Sequence, residues 1–412
     1  MQKKLIALAV AGLFAVPALA QTNVTISGKF VGGYDNYSVK DCQVASDCRS
    51  ESRFSDQSSR VIFNIVEDLG GGLKAWGQLD SRFQVDTGGS NAAGTNQWAS
   101  GNTGMGLMHA SWGKVTLGRW DVHYDEIWKY IGGNRAGSQQ TNLADGLMSQ
   151  VATTAGGATT AQTVGFASRT ANLLMWDSPN WNGFTATLGY STNPAAIANE
   201  GSGVSPAAAS GNGGGGFAWT GAIRYNNGPW AAGYAHWTSE SEVRLKNAAT
   251  GQWLQTVNDL TGDRVWLGYS FAMGLKLGIG YDRSKNDAAN AGMTSTVGFR
   301  RSAWYIPVSY SWGPHAVYAS YAKAGDASNT AGADTGASAW NLGYDYAFSK
   351  RTSMGIYYTA LSNKGSWTTG GGNYNLFSNA GNGSTAISAG GAGFSGLGAD
   401  ARQWYVGMAH SF

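Results

Sequence analysis

The chain has 412 residues with 28 basic and 25 acidic side chains, so its formal charge of +3 gives no case for nucleic acid or an acidic membrane surface as the main partner. Its 61 glycines, 17 tryptophans and 19 tyrosines against 7 prolines exclude a disordered chain, which would be poor in aromatics. No window after the first twenty residues has an unbroken apolar run long enough for a membrane helix.

The first predicted element, MQKKLIALAVAGLFAVPALA, has the Lys3-Lys4 charge pair, an apolar run from Leu5 to Val16, and small residues at Ala18 and Ala20. That is the pattern of a secretory signal, residues 1–20, with cleavage expected after Ala20 and a mature chain of 21–412. Its apolar run is shorter than the roughly 20 residues of a spanning helix. Without its two lysines the remainder has 26 basic and 25 acidic side chains and is almost neutral.

TNVTISGKFVGGYDNY follows, with Val24, Ile26, Gly28, Phe30 and Tyr34 on one parity. In an extended strand successive side chains point to opposite faces, so one face is apolar and the other polar. Next come Cys42 and Cys48, which in an exported chain are expected to form a disulfide closing a short external loop. A metal site is disfavoured because no third or fourth suitable ligand lies nearby.

Alternation continues along the chain. DRVWLGYSF puts Val265, Leu267, Tyr269 and Phe271 on one face, and RSAWYIPVSYSW does so with Trp304, Ile306, Val308, Tyr310 and Trp312. SAWNLGYDYAF contributes Trp340, Leu342, Tyr344, Tyr346 and Phe348; TSMGIYYTAL contributes Met354, Ile356, Tyr358 and Ala360. QWYVGMAHSF places Trp404, Val406, Met408 and Phe412 together. Pro307 removes a ladder donor and is expected to mark a bulge or local irregularity. The run GNGGGGFAW lacks the Lys and Ser or Thr of a phosphate loop and reads as loop flexibility.

Seven short turns are predicted at 67–72, 111–113, 178–183, 226–229, 271–274, 311–314 and 348–351. Between them lie long polar stretches near 38–56, 86–102, 121–162, 192–216, 241–261, 286–299, 325–337 and 364–401. Short turns on one side and long loops on the other describe an all-β, transmembrane antiparallel barrel of about sixteen strands. In hydrocarbon every backbone polar group needs an internal partner, so the last strand is expected to close against the first, with Phe412 in an interfacial aromatic girdle. A soluble β-sandwich would also alternate, but its core would favour aliphatic residues over Trp and Tyr at strand ends.

On the parity opposite the apolar face lie Lys29, Arg60, Arg82, Arg169, Arg224, Arg264 and Lys276, with Asp80 and Asp345. Charge on the lipid face costs about 2–4 kcal/mol for Arg or Lys near the midplane, so these side chains are expected to face a lumen. Arg119 shares the parity of Val115 and Leu117, which makes an interface or loop-anchoring role the better expectation.

Several of these stretches resemble the general porins of Gram-negative bacteria, in the β-proteobacterial and neisserial branch. They are SGKFVGGYD, SSRVIFNIVEDLGGGLKAWGQLDSRF, WGKVTLGRW, LLMWDSPNWNGFTATLGYS, YDYAFSKRTSMGIYY and the terminal strand ending in Phe. The resemblance implies a sixteen-stranded homotrimer of the outer membrane, in contact with its lipid and lipopolysaccharide. The third external loop, here 121–162, would fold inward as a constriction. It also implies a basic wall cluster matched by Lys29, Arg60, Arg82 and Arg169, facing loop acids among Asp121, Asp125, Glu126 and Asp145. Asn102 stands where another arginine is expected, and Arg135 adds positive charge to the loop.

The implied activity is passive diffusion of ions and small hydrophilic solutes, weakly favouring anions and needing no cofactor. A substrate-selective channel is the alternative within transporters; a barrel enzyme or an adhesin comes from other classes. None of the five histidines, His109, His123, His236, His315 and His410, lies in an HExxH arrangement or a GxSxG context.

Overall fold

The computed structural model describes residues 23–41, 48, 50–86, 88–89, 98–122, 169–192, 213–246, 253–290, 297–326, 328, 334–365 and 398–412. These form β1 (Asn23–Lys40), β2 (Ser50–Asp56), β3 (Arg60–Gly70), β4 (Leu73–Arg82), β5 (Thr103–His109), β6 (Gly113–Asp121), β7 (Arg169–Asp177), β8 (Phe184–Ser191) and β9 (Gly213–Asn227). Then come β10 (Trp230–Lys246), β11 (Trp253–Ser270), β12 (Leu275–Asn290), β13 (Val297–Trp312), β14 (His315–Ala324), β15 (Ala337–Ala347), β16 (Thr352–Asn363) and β17 (Asp400–Ser411).

All pair antiparallel in one sheet of 17 segments, and β17 returns to β1 from Lys29↔Ser411 to Lys40↔Asp400. Phe412 completes the seam: its N–H donates to Gly28 O at 3.1 Å, and Gly28 N–H donates to Phe412 O at 3.2 Å. Closure leaves no sheet edge, which is what hydrocarbon requires.

The 17 segments make sixteen staves because β2 and β3 lie end to end along β1, the first opposite Gly32–Ser38 and the second opposite Asn23–Lys29. From Gly32↔Asp56 to Lys29↔Arg60 the chain advances four residues against three, a one-residue bulge. Ser58 there has φ 73°. Asp56 accepts from Ser58 N–H at 2.7 Å and Ser59 N–H at 3.2 Å, while Ser59 Oγ accepts from Val31 N–H at 3.0 Å. Side chains thus satisfy backbone groups that the interrupted ladder leaves. The extra residue reverses parity, so Arg53 and Arg60, seven positions apart, both face inward.

All seven predicted short turns join consecutive strands. At two of them the turn residue lies against the neighbouring stave: Gly113 and Gly274 both have φ 93°, and an added Cβ would sit 2.0 Å from Asp177 O and 2.2 Å from Ser311 O. Only glycine fits there.

The long connections depart further from expectation. The stretch 241–261, read as a loop, is mostly ladder, because β10 pairs with β11 from Trp230↔Tyr269 out to Lys246↔Trp253. A ladder needs backbone hydrogen bonds and no apolar side chains, so beyond the membrane a strand loses the alternation that marks it. The connection predicted at 121–162 spans 122–168, since β6 includes Asp121 and β7 starts at Arg169. Pro307 interrupts the β12–β13 ladder between Leu277↔Val308 and Gly280↔Tyr305 with no shift of register.

Outward side chains form two aromatic levels. Near the short turns, Trp230 meets Tyr269 with ring centroids 4.6 Å apart, and Tyr310 meets Trp312 at 5.3 Å. At the opposite level Tyr190 meets Trp219 at 4.5 Å, Tyr281 meets Trp304 at 4.6 Å, and Tyr358 meets Trp404 at 4.7 Å. Leu188, Ile223, Val265, Leu342 and Ile356 lie outward between them and are exposed, as a lipid-facing belt must be.

Candidate pore constriction

Three adjacent staves bring three cations into one row inside the barrel. Lys29 on β1 is the register partner of Arg60 on β3, and Arg60 is the partner of Arg82 on β4. Like charges directly opposite on a sheet are destabilising, so the row needs supporting contacts. Asp80, two residues from Arg82, provides one: its Oδ2 lies 3.3 Å from Arg82 Nη2 and 3.6 Å from Arg60 Nη1. The same oxygen accepts from Asn102 N–H at 3.3 Å. Ser58 holds Arg60 from the other side, Oγ accepting from Nη2 at 2.7 Å and the carbonyl from Nε at 3.3 Å. The bulge therefore brings Arg53 onto the face of Arg60 and supplies Arg60 with acceptors.

Asn102 occupies the expected arginine position and has other work. Its Nδ2 donates to Asp121 Oδ2 at 3.0 Å, its Oδ1 accepts from Asp121 N–H at 3.2 Å, and its carbonyl accepts from Gln78 Nε2 at 2.9 Å. Asp121, expected among loop acids, is instead the last residue of β6, fastened to the wall by an amide. Its register partner is Arg169, at the start of β7. The side chain of Arg169, and Asp125, Glu126, Arg135 and Asp145 altogether, lie outside the described residues. Arg119 anchors a loop, its Nη1 donating to the carbonyls of Ser100 and, at 3.3 Å, Gly101.

Other lumen charges occur as closer pairs. Arg53 reaches Asp35 at 3.0 Å, with Gln403 Nε2 donating to the same carboxylate at 2.7 Å. Arg224 lies 3.5 Å from Asp177 and donates to Thr187 Oγ1 at 3.0 Å. Arg264 lies 3.2 Å from Asp282, both side chains almost wholly buried, and inward Arg301 is on the neighbouring stave. Lys114 Nζ sits 3.6 Å over the Trp76 ring and 4.5 Å over Trp120, a cation–π seat inside the wall. Among these, Asp282 and Arg301 were readable from parity, being in step with Lys276 and opposite to Trp304. Arg53 was not, because its orientation depends on the bulge.

A closed barrel with a charged interior, an apolar exterior and aromatic levels at both ends defines a transmembrane β-barrel with a polar lumen. The sequence model of Gram-negative porins matches residues 7–366, and the chain belongs to that family, as a multi-pass protein of the outer membrane.

An outer membrane porin of Bordetella pertussis is 30% identical over 203 residues, which is 46% of this chain and 48% of that protein. The major outer membrane protein P.IB of Neisseria gonorrhoeae is 36% identical over 110 residues, 26% of this chain and 29% of that one. The chain thus aligns with about half or less of the length of these curated relatives. Among solved structures, an anion-selective porin from Comamonas acidovorans superposes with a TM-score of 0.63 at 22% identity, covering 95% of this chain and 100% of that one. OmpT of Vibrio cholerae in its trimer form gives 0.57 at 12%, covering 95% and 99%. At these identities the two structures speak to the fold.

Proposed function

We propose that the protein is a passive diffusion channel for ions and small hydrophilic solutes with a modest preference for anions. The observation that carries this reading is the row Lys29–Arg60–Arg82 on three adjacent staves, where the cations outnumber Asp80. Rings of basic side chains in a narrow passage favour anions, because partial desolvation strengthens each charge beyond its effect on an open surface. The Comamonas fold neighbour bears the description anion-selective, which accords with this chemistry.

In this reading Arg169 extends the row across the mouth of the 122–168 connection, which folds inward and brings Asp125, Glu126 and Asp145 to face it. The functional unit is a homotrimer, in keeping with the trimer form of OmpT, and the mature chain begins at Gln21. Cys48 is disulfide-bonded, and Cys42, the other cysteine of the chain, lies outside the described residues. We take the bridge to join these two within the first external loop.

The test is the zero-current potential of the refolded protein in a planar bilayer under a potassium chloride gradient. Wild type is expected to favour chloride, and Arg60→Gln with Arg82→Gln to move the potential toward cations. Cation preference in the wild type, or no movement in the double variant, defeats the reading. Salt should blunt the preference, since the Debye length falls from about 10 Å at 0.1 M to about 3 Å at 1 M.

A further inference from the structure

Ser55, Asp56, Gln57, Ser58 and Ser59 are consecutive, polar and wholly buried. Buried polar groups cost free energy unless they are hydrogen-bonded, so such a run needs an internal organiser. Asp56 occupies that place. Its Oδ2 accepts from Ser58 N–H at 2.7 Å, both its oxygens accept from Ser59 N–H at 3.2 Å, and Oδ1 accepts at 3.4 Å from Val85 N–H, on the chain leaving β4. Ladder-like contacts secure the flanks, Gln57 N–H donating to Val31 O at 2.8 Å and Phe83 N–H to Ser59 O at 3.2 Å.

The conformation of Ser58 gives these contacts their consequence. Its φ of 73° is left-handed, which is unfavourable for a residue with a Cβ and persists where the surroundings impose it. Asp56 imposes it by holding the N–H groups on both sides of the Ser58 Cα. Thus held, Ser58 presents two acceptors to the side chain two residues on: its carbonyl takes Arg60 Nε at 3.3 Å and its hydroxyl takes Nη2 at 2.7 Å. The third nitrogen, Nη1, lies 3.6 Å from Asp80.

By register the carboxylate belongs to the other face of the sheet. Asp56 is the partner of Gly32, which has the outward parity of Phe30 and Tyr34, and Val85 packs over it, a Cβ added at Gly32 lying 2.9 Å from Val85 Cγ1. Arg60 faces the lumen, so the turn at Ser58 connects a carboxylate on the outer side of the wall to a guanidinium on the inner side.

We infer that Asp56 is a positioning residue of the passage, acting on permeating anions through the Ser58 turn and the Arg60 guanidinium and not through its own charge. This role rests on the anion preference proposed above. The two routes differ in sign. A carboxylate acting by charge repels anions, so its removal would raise the preference for chloride. A carboxylate acting by position lowers that preference when removed, because Arg60 loses its fixed place in the row.

The experiment is the zero-current potential of the full-length refolded protein in a planar bilayer under a potassium chloride gradient, for Asp56→Ala, Asp56→Asn and Ser58→Gly, each alone and combined with Arg60→Gln. Asp56→Ala and Ser58→Gly are each expected to lower the chloride-to-potassium permeability ratio about twofold. Asp56→Asn keeps one acceptor oxygen and should lower it less. None should change the ratio further once Arg60 is glutamine, as holds for residues that act through one group. Glycine adopts the left-handed turn without strain, so Ser58→Gly is the reporter if Asp56→Ala fails to fold. A raised ratio in either Asp56 variant overturns the inference, as do changes that persist in the Arg60→Gln background or a ratio that Ser58→Gly leaves unmoved. A wild type that favours potassium defeats the anion reading and this role together, whereas those three results defeat this role alone.

Discussion

The two halves of the wall are built differently. On one side β5, β6, β7 and β8 are 7, 9, 9 and 8 residues long; on the other β10 and β11 are 17 and 18. The short half contains ladder irregularities at 57–59 and between Gly118 and Trp120, and it borders the cation row. Along β4–β6 its outward face is small or aliphatic, with Ala75, Gly77, Met105, Leu107 and Leu117, while β8 carries the outward aromatics Phe184 and Tyr190. The long half keeps constant register along its ladders, with aromatic levels at both ends and inward charges in close pairs such as Arg264–Asp282. Where the staves are short, an extra residue in the wall at 57–59 sets Arg53 and Arg60 on the same inward face. Where they are long, the sheet continues past the membrane and its outer surface meets lipid.

Placing a charge on each outer wall should separate these roles most strongly. Leu267→Arg, outward on β11, is expected to destabilise the barrel by about 2–4 kcal/mol in bilayer unfolding experiments. If the proposed trimer meets through the short wall, Leu107→Arg on β5 is expected to break it into monomers, read as oligomer loss on unheated gels with the barrel still folded. If Leu107→Arg leaves the trimer intact, the short wall is not the subunit contact.

Inside, the two halves should differ in their effect on selectivity. Asp80→Asn removes the carboxylate that Arg60 and Arg82 share and should move the zero-current potential further toward anions. Arg264→Gln, whose charge is already matched by Asp282 at 3.2 Å, should move it less than loss of Arg82 does. Equal shifts would mean that the narrow zone is not on the short-staved side.

A smaller effect is expected at the first external loop. Cys42→Ser with Cys48→Ser should leave conductance unchanged, since neither cysteine belongs to a strand of the wall, while proteolysis near residues 42–48 becomes faster. Mass spectrometry of unreduced protein should find no free thiol.

The smallest effect concerns Asp326 and Lys364, an exposed pair 3.0 Å apart between two loops. Partial burial acts to raise the Asp326 carboxyl. The hydrogen bonds from Lys364 and Gly336 N–H, with the charges of Lys364 and Lys323, outweigh it and hold the group below its ordinary value. A depressed carboxylate stabilises the folded loops above its unfolded value and loses that contribution as pH falls through its folded one. Lys364→Ala should therefore speed loop proteolysis at neutral pH but change little in strong acid.

Strand parity, the seven short turns and the closing partnership of the last strand with the first were legible in the sequence, as was the inward aim of Lys29, Arg60 and Arg82. Alternation is a property of local covalent geometry, and in a membrane it must agree with lipid on one side and water on the other. The upper reaches of β10 and β11 were not legible, because outside hydrocarbon nothing forces a ladder to advertise itself in side chains. Grouping Arg169 with the basic wall came from family likeness, and its side chain is beyond what the structure describes.

By itself, then, the sequence determined that this chain is a closed, lipid-facing sheet with charges turned inward. Tertiary structure decided which charges meet. One extra residue at 57–59 turns Arg53 and Arg60 to the same side, Asn102 takes Asp121 from the loop to the wall, and Asp80 joins two arginines from different staves. Each depends on register between strands distant in sequence, and register is set by the whole ladder rather than by any segment's own pattern.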